Sequence, residues 1–235
     1  MKFGIVVFPG SNCDDDCRFV LADKLGHEVF FLWHKTHDLN GADCLVLPGG
    51  FSYGDYLRCG AMAANSPIMK QVSEFADNGG LVIGICNGFQ ILQEARLLPG
   101  TLMTNNALKF ICKQVYLRVE NQQTAFTNNC YDGEILKIPI AHMEGNFFVD
   151  KKTFEKIEDN QQIIFRYCSE DGDADNAYNP NGSIGNVAGI INQEGNVCGM
   201  MPHPERCSEK ILGNEQGIKI FSSIINHFNA GKPKL

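Results

Sequence analysis

The residues best suited to covalent chemistry surround Cys86, in the segment LVIGICNGFQ (residues 81–90). An aliphatic run typical of a strand stops at this cysteine, and Gly84 and Gly88 flank it at the G-x-C-x-G spacing of a nucleophile elbow. In such an elbow a sharp turn exposes the nucleophile, and the N-terminus of the following helix favours the thiolate. The spacing predicts a nucleophilic cysteine, although a core cysteine beside a glycine turn fits the isolated motif equally well.

A second segment, MMPHPER (residues 200–206), offers a general base. Prolines flank His203, and a proline restricts the residue before it to extended geometry. In an extended chain residues 203 and 205 point the same way, so we expect Glu205 beside the imidazole ring of His203. Such a carboxylate would fix the ring tautomer and stabilise the imidazolium, which predicts a Cys–His–Glu triad. Taken alone, PHPE also fits a loop histidine with a solvated glutamate.

A glycine pair follows another apolar run, in LPGGFSYGD (residues 47–55). If the strands are parallel, this turn lies at the same sheet edge as the elbow. Backbone N–H groups at Gly49, Gly50 and Phe51, together with that of Asn87, are then expected to bind a developing oxyanion. By itself the glycine pair more simply indicates a tight exit from a strand.

The elements that must position these groups follow from the hydrophobic periodicity. Over the first hundred residues, strand-like apolar runs alternate with helical patterns, which predicts a parallel sheet covered by helices. After Leu102 short strands prevail, and in this half only residues 216–228 have the pattern of a long helix. The polar stretch 171–186 is expected to be a surface loop. The predicted fold is α/β, a parallel sheet flanked by helices with extra β-strands in the C-terminal half, in a single domain over residues 1–235.

Composition excludes several classes of function. The net charge of −7 and the pI near 5.3 disfavour a nucleic-acid partner held by phosphate neutralisation. No apolar run is long enough for a membrane span, and the N-terminal run is too short for a signal peptide. The 10 cysteines and 6 histidines form no metal-ligand pattern, so we expect reduced thiols, no metal and a cytoplasmic protein.

The combination of PGG, G-x-C-x-G followed by Gln90, and PHPE resembles the class I (triad) glutamine amidotransferase family, whose fold is flavodoxin-like. More specific stretches resemble the small glutaminase subunits of phosphoribosylformylglycinamidine synthase. These stretches are FPGSNCD, LPGGFSYGDYLRCGA, GICNGFQIL, LKFICKQVYLRVEN, IPIAHMEGN, FRYC and NPNGS. The resemblance therefore spans nearly the whole chain.

The resemblance implies that Cys86 attacks the carboxamide of glutamine while His203 moves protons, Glu205 orients the ring and Gln90 lines the substrate pocket. It also implies that this chain needs no metal or organic cofactor. Ammonia passes to a large synthetase subunit, which uses ATP and Mg²⁺ to convert formylglycinamide ribonucleotide to formylglycinamidine ribonucleotide in purine biosynthesis. A small accessory subunit is part of that complex.

One segment departs from the family pattern. The family usually has AHGEG followed by a basic residue, whereas this chain has Met143 and Asn146. His142 and Glu144 therefore receive no role from the resemblance, and the local pattern predicts a strand-end pair in solvent.

Two other readings remain open from the sequence. The elbow also suits a stand-alone γ-glutamyl hydrolase, which would release glutamate without any synthetase. A non-catalytic binding module with the same fold is the other alternative, and labelling with a glutamine-analogue electrophile distinguishes it from an enzyme.

Overall fold

A nine-stranded mixed sheet forms the centre of the computed structural model, which describes residues 1–231. The strands are β1 (Lys2–Val7), β2 (Glu28–Trp33), β3 (Cys44–Leu47), β4 (Leu81–Ile85), β5 (Thr101–Met103), β6 (Ile111–Val119), β7 (Ile135–His142), β8 (Asn146–Phe148), β9 (Ile163–Cys168), β10 (Val187–Ile191) and β11 (Val197–Met200). The α-helices are α1 (Asp14–Arg18), α2 (Ala61–Ala64), α3 (Ile68–Asp77), α4 (Asn87–Glu94), α5 (Lys151–Asp159) and α6 (Ile218–Ala230).

The sheet has a parallel half and an antiparallel half, in the order β2-β1-β3-β4-β11-β10-β9-β6-β7. Neighbours from β2 to β11 pair in parallel, and neighbours from β11 to β7 pair antiparallel. Strands β5 and β8 form a separate antiparallel pair. The predicted α/β architecture with extra C-terminal strands is therefore confirmed. The predicted single domain runs to residue 235, and residues 232–235 lie outside the described part.

The core is centred on the parallel strands. Every residue of β3 and β4 is buried, as their uninterrupted apolar sequences require in a sheet covered on both faces. Helix α3 buries Ile68, Met69, Val72 and Ala76, which recur at the helical spacing seen in the sequence. Among residues 1–231, no helix is both long and apolar enough to cross a membrane.

Three local expectations are corrected by the structure. Helix α5 was not predicted, because KKTFEKIED is largely polar and only Ile157 of it is buried. The helical pattern that follows the first predicted strand is not one regular α-helix, because α1 continues beyond Arg18 as a wider π-helical segment, Phe19–Lys24. The stretch 171–186 is only partly a surface loop, since Asn181 and Ser183 are buried and hydrogen-bonded to the backbone of Gly145.

Candidate active site

The register of three parallel strands brings the predicted groups to one edge of the sheet. Leu47 of β3 is aligned with Gly84 of β4, which is aligned with Gly199 of β11. Gly49 and Cys86 each lie two residues beyond this row, at the carboxyl ends of β3 and β4. The segment that carries the histidine leaves β11 at the same edge. The structure thus juxtaposes three segments that are far apart in the sequence.

The turn at Cys86 has the geometry of a strained elbow. Cys86 has φ 50° and ψ −105°, a conformation that non-glycine residues rarely adopt, and it is the residue before α4. A β-carbon at Gly84 would lie 2.6 Å from the backbone of Gly88. A β-carbon at Gly88 would lie only 1.9 Å from the carbonyl oxygen of Leu47. Both glycines therefore have the steric role that the motif predicts.

His203 and Glu205 form a buried pair. The Nδ1–H of His203 donates to Glu205 Oε1 at 2.6 Å, and both side chains are almost fully buried. His203 has φ −104° and ψ 88°, which is not a regular extended conformation, and Glu205 lies in a 3-10 helix (Pro204–Cys207), so the extended chain expected over residues 203–205 is wrong. The contact forms nonetheless, because the helix begins immediately after the histidine. The Nε2 atom has no hydrogen-bond partner among residues 1–231, so it is the ring nitrogen available for proton exchange.

The electrostatics of the site favour a charged imidazole. Burial lowers the pKa of His203, but the Glu205 carboxylate and the Cys86 thiolate outweigh burial and hold this pKa well above its usual value. Cys86 and His203 line one cleft of about 180 Å³. The sulfur of Cys86 lies 3.7 Å from the carbonyl oxygen of Ala141, which forms part of the same cleft wall. This arrangement suits proton exchange between thiol and imidazole during nucleophilic catalysis.

The residues predicted to bind the oxyanion differ in whether their backbone groups already have hydrogen-bond partners. Asn87 is the first residue of α4, where a backbone N–H has no acceptor within the helix. Gly50 and Phe51 line the cleft, but the Phe51 N–H donates to the carbonyl of Gly10 at 2.9 Å. The carbonyl of Gly49 accepts hydrogen bonds from the turn at residues 12–13. The oxyanion role stays a prediction for this set, and Asn87 is the member that the helix leaves free.

Asn87 and Gln90 also connect the elbow to its surroundings through their side chains. Asn87 Oδ1 accepts from Ser52 N at 3.1 Å, and its Nδ2 donates to Gln90 Oε1 at 2.9 Å. Gln90 Nε2 in turn donates to the carbonyl of Glu144 at 2.7 Å. These bonds attach α4 to the segment after β7. A contact between Gln90 and substrate stays a prediction.

The expectation that His142 and Glu144 form a solvent-exposed pair is wrong. His142 is 3% exposed and Glu144 is partly buried. Asn105 Nδ2 donates to the carbonyls of Lys109 and His142, so its Oδ1 accepts from His142 Nδ1–H at 3.1 Å. Burial and the nearby charge of His203 lower the pKa of His142 to about 4. His142 is therefore a neutral, buried histidine next to the site.

Sequence reasoning did not assign Cys13 or Arg206 to the site, yet both line the cleft. Cys13 Sγ lies 3.9 Å from His203 Nδ1 and accepts from Arg206 Nη2 at 3.1 Å. The signals were present, because Cys13 belongs to FPGSNCD and Arg206 directly follows Glu205.

Three residues in the same corner have potential metal-ligand atoms close together. Ligand atoms of Cys13, His203 and Glu205 all lie within 4.8 Å of one another. The Arg206 guanidinium beside the thiol disfavours a cation there. The expectation that this chain binds no metal stays a prediction.

Comparison with known proteins places this geometry in a family. The pattern of the CobB/CobQ-like glutamine amidotransferase domain matches residues 1–230. Phosphoribosylformylglycinamidine synthase subunit PurQ of Moorella thermoacetica is 57% identical over 99% of this chain and 98% of its own length. The PurQ subunit of Salinibacter ruber is 53% identical over 96% of each chain. A chain in the structure of PurLQS from Thermotoga maritima is 42% identical, with a TM-score of 0.85 over 97% of this chain and 98% of that one. This protein belongs to the glutamine amidotransferase family.

Proposed function

We propose that this chain is the glutaminase subunit of phosphoribosylformylglycinamidine synthase, which releases ammonia from glutamine for a synthetase subunit in purine biosynthesis. The observation that carries the proposal is the placement of a strained Cys86 and a buried His203–Glu205 pair in one cleft. The identity of 57% to a PurQ subunit, over nearly the full length of both chains, supports this particular amidotransferase.

The first half of the reaction forms a thioester. The Cys86 thiolate attacks the side-chain carbonyl carbon of glutamine, and the carbonyl oxygen becomes an oxyanion near the N–H of Asn87. The imidazolium of His203 then donates its Nε2 proton to the leaving nitrogen. Ammonia departs as the oxyanion collapses, and a γ-glutamyl thioester remains on Cys86. Glu205 keeps the proton on Nδ1 throughout, so that Nε2 is the nitrogen that exchanges protons.

The second half hydrolyses the thioester. Neutral His203 takes a proton from water at Nε2, and the water oxygen attacks the thioester carbon. When the second oxyanion collapses, the carbon–sulfur bond breaks and glutamate leaves. The thiolate and the imidazolium are restored together, which the carboxylate of Glu205 favours.

The ammonia has a separate destination. A large synthetase subunit, working with a small accessory subunit, uses ATP and Mg²⁺ to convert formylglycinamide ribonucleotide to the amidine. We assign no cofactor to the present chain and place the complex in the cytoplasm. The Thermotoga maritima relative is part of a PurLQS structure, which supports an assembly of this kind.

The decisive experiment separates ammonia release from ammonia use. Complexes of wild type and Cys86→Ala with the synthetase and accessory subunits are supplied with either glutamine or ammonium chloride at alkaline pH, and amidine formation is measured. Glutamine-dependent synthesis should disappear in Cys86→Ala, because the nucleophile is missing, while ammonium-dependent synthesis should persist.

Cys130→Ala removes a thiol outside the cleft and is the matched control. An undiminished glutamine-dependent rate in Cys86→Ala would exclude Cys86 as the nucleophile. A wild-type chain that hydrolyses glutamine but supports no synthesis with the synthetase would instead indicate a stand-alone hydrolase.

A further inference from the structure

The cleft contains one permanently charged group besides its catalytic machinery. Of the cleft-lining residues in the described part of the chain, Arg206 alone carries a charge that does not titrate near neutral pH. The others are glycine, alanine, phenylalanine, asparagine, cysteine or histidine. A small ligand in this cleft therefore meets a positive charge at a defined place.

The guanidinium of Arg206 is held by three neighbours. Its Nη2 donates to Cys13 Sγ at 3.1 Å, while its Nε lies 3.4 Å from Asp16 Oδ2 and 4.0 Å from Glu205 Oε1. The side chain is 41% exposed. A guanidinium carries five N–H donors, so these contacts leave donors for an incoming anion. The backbone of Arg206 is also held in a fixed position relative to Glu205, because both residues belong to the same 3-10 helix.

The substrate of the proposed reaction brings a matching anion. Glutamine reacts at its side-chain carboxamide, but its α-carboxylate enters the site with it. A carboxylate that leaves water for a partly enclosed site needs a partner, and arginine is the side chain whose geometry matches a carboxylate best. Cys86 and Arg206 line the same cleft of about 180 Å³, so a small amino acid bound there lies near both side chains.

We propose that Arg206 binds the α-carboxylate of glutamine and so selects the free amino acid over neutral glutamine derivatives. This inference rests on the proposed glutaminase function and adds the recognition of the substrate's α-carboxylate to it. Cys13 and Asp16 act as positioning residues that orient the guanidinium. The alternative is that Arg206 only supports Glu205 and the triad, without contacting substrate.

The test pairs a substrate change with a side-chain change. Full-length wild type, Arg206→Ala and Arg206→Lys are assayed in the complex with L-glutamine and with L-glutamine α-amide, in which a neutral carboxamide replaces the carboxylate. Formation of glutamate, or of glutamic acid α-amide, is measured by chromatography. Wild type should prefer glutamine, and Arg206→Ala should lower kcat/KM for glutamine about 10- to 100-fold, mainly through KM. The same change should alter kcat/KM for the α-amide less than about 3-fold, and Arg206→Lys should recover part of the preference.

Arg18→Ala is the matched control, because Arg18 pairs with Asp15 and Asp23 outside the cleft. Site-resolved alkylation of Cys86 by neutral iodoacetamide reports whether each variant keeps its elbow. Equal losses for both substrates in Arg206→Ala would overturn the proposal and assign Arg206 to triad support. A wild type that uses the α-amide as well as glutamine would overturn it without any variant. A wild type with no glutamine turnover would instead contradict the proposed function.

Discussion

Gly49 lies directly against the imidazole ring of His203. A β-carbon at Gly49 would lie 2.7 Å from His203 Cε1 and 3.1 Å from Cys13 Sγ. The strand-end glycine therefore makes the space in which the histidine sits. Its φ is not in the left-handed region, so the glycine is required by this close approach and not by backbone conformation.

Gly49→Ala is expected to impair turnover more than folding. The added methyl group pushes against two side chains, and a displaced ring no longer aligns Nε2 with the thiol. We expect kcat to fall roughly 10- to 100-fold, as small misplacements in catalytic sites do, with the melting temperature little changed. Steady-state glutaminase assays and thermal unfolding measure the two effects. Gly231→Ala is the control, because a β-carbon there meets only ordinary contacts near 3.8 Å. Unchanged kcat in Gly49→Ala would mean that the ring position is not critical.

Glu205→Gln should remove most activity while preserving the shape of the site. The amide cannot stabilise the imidazolium as a carboxylate does, so we expect turnover to fall about 10³- to 10⁴-fold. Because the carboxylate raises the pKa of His203, this pKa should also fall in the variant, which an NMR titration of the ring would detect. Glu209→Gln, which alters a surface pair with Lys24, should retain activity. Full turnover in Glu205→Gln would remove Glu205 from the triad.

Selective labelling should distinguish Cys86 from the 9 other cysteines. The glutamine analogue 6-diazo-5-oxo-norleucine should modify Cys86, since binding aligns the electrophile with the elbow. Cys112 lines the same cleft and is exposed, so neutral iodoacetamide should reach it as well. Peptide mapping after each reagent separates the two behaviours. Analogue found chiefly on Cys13 or Cys112 would contradict the assignment of the nucleophile.

The buried His142 should make stability dependent on pH. Its pKa is about 4 in the folded chain, below the ordinary 6.5, so the unfolded state takes up a proton first as the pH falls. The buried, neutral His142 therefore adds to the free energy of unfolding above about pH 6.5. This stabilisation, which is at most about 3 kcal/mol, is lost as the pH falls from about 6.5 to about 4. His142→Asn cannot titrate there but keeps a donor for Asn105, so it should lose this part of the pH dependence. Urea unfolding at several pH values measures the difference. Exposed His37→Asn serves as the control, and a slope in His142→Asn equal to that of wild type would contradict the explanation.

Much of the site was predictable because its signals are local. The glycines around Cys86 reflect contacts between a strand and the helix that directly follows it, and the spacing G-x-C-x-G shows them without a structure. The pairing of His203 with Glu205 is also local, and it formed even though the chain turns into a 3-10 helix. The alternation of strand-like and helical segments over the first hundred residues likewise predicted the parallel half of the sheet.

The tertiary structure decided the features that depend on distant segments. Asn105 and His142 lie 37 residues apart in the sequence, and each satisfies a buried polar atom of the other by a hydrogen bond. The local sequence around His142 shows only polar residues at the end of a strand, so it does not predict that the histidine is buried. Cys13 and Arg206 lie 193 residues apart and meet only because the turn after β1 and the segment after β11 reach the same sheet edge. Hydrophobic periodicity reports how each element is buried, but not which loops converge. The sequence by itself thus determined the elbow around Cys86 and the pairing of His203 with Glu205, because both depend on neighbouring residues, whereas strand order and register decided which groups surround them.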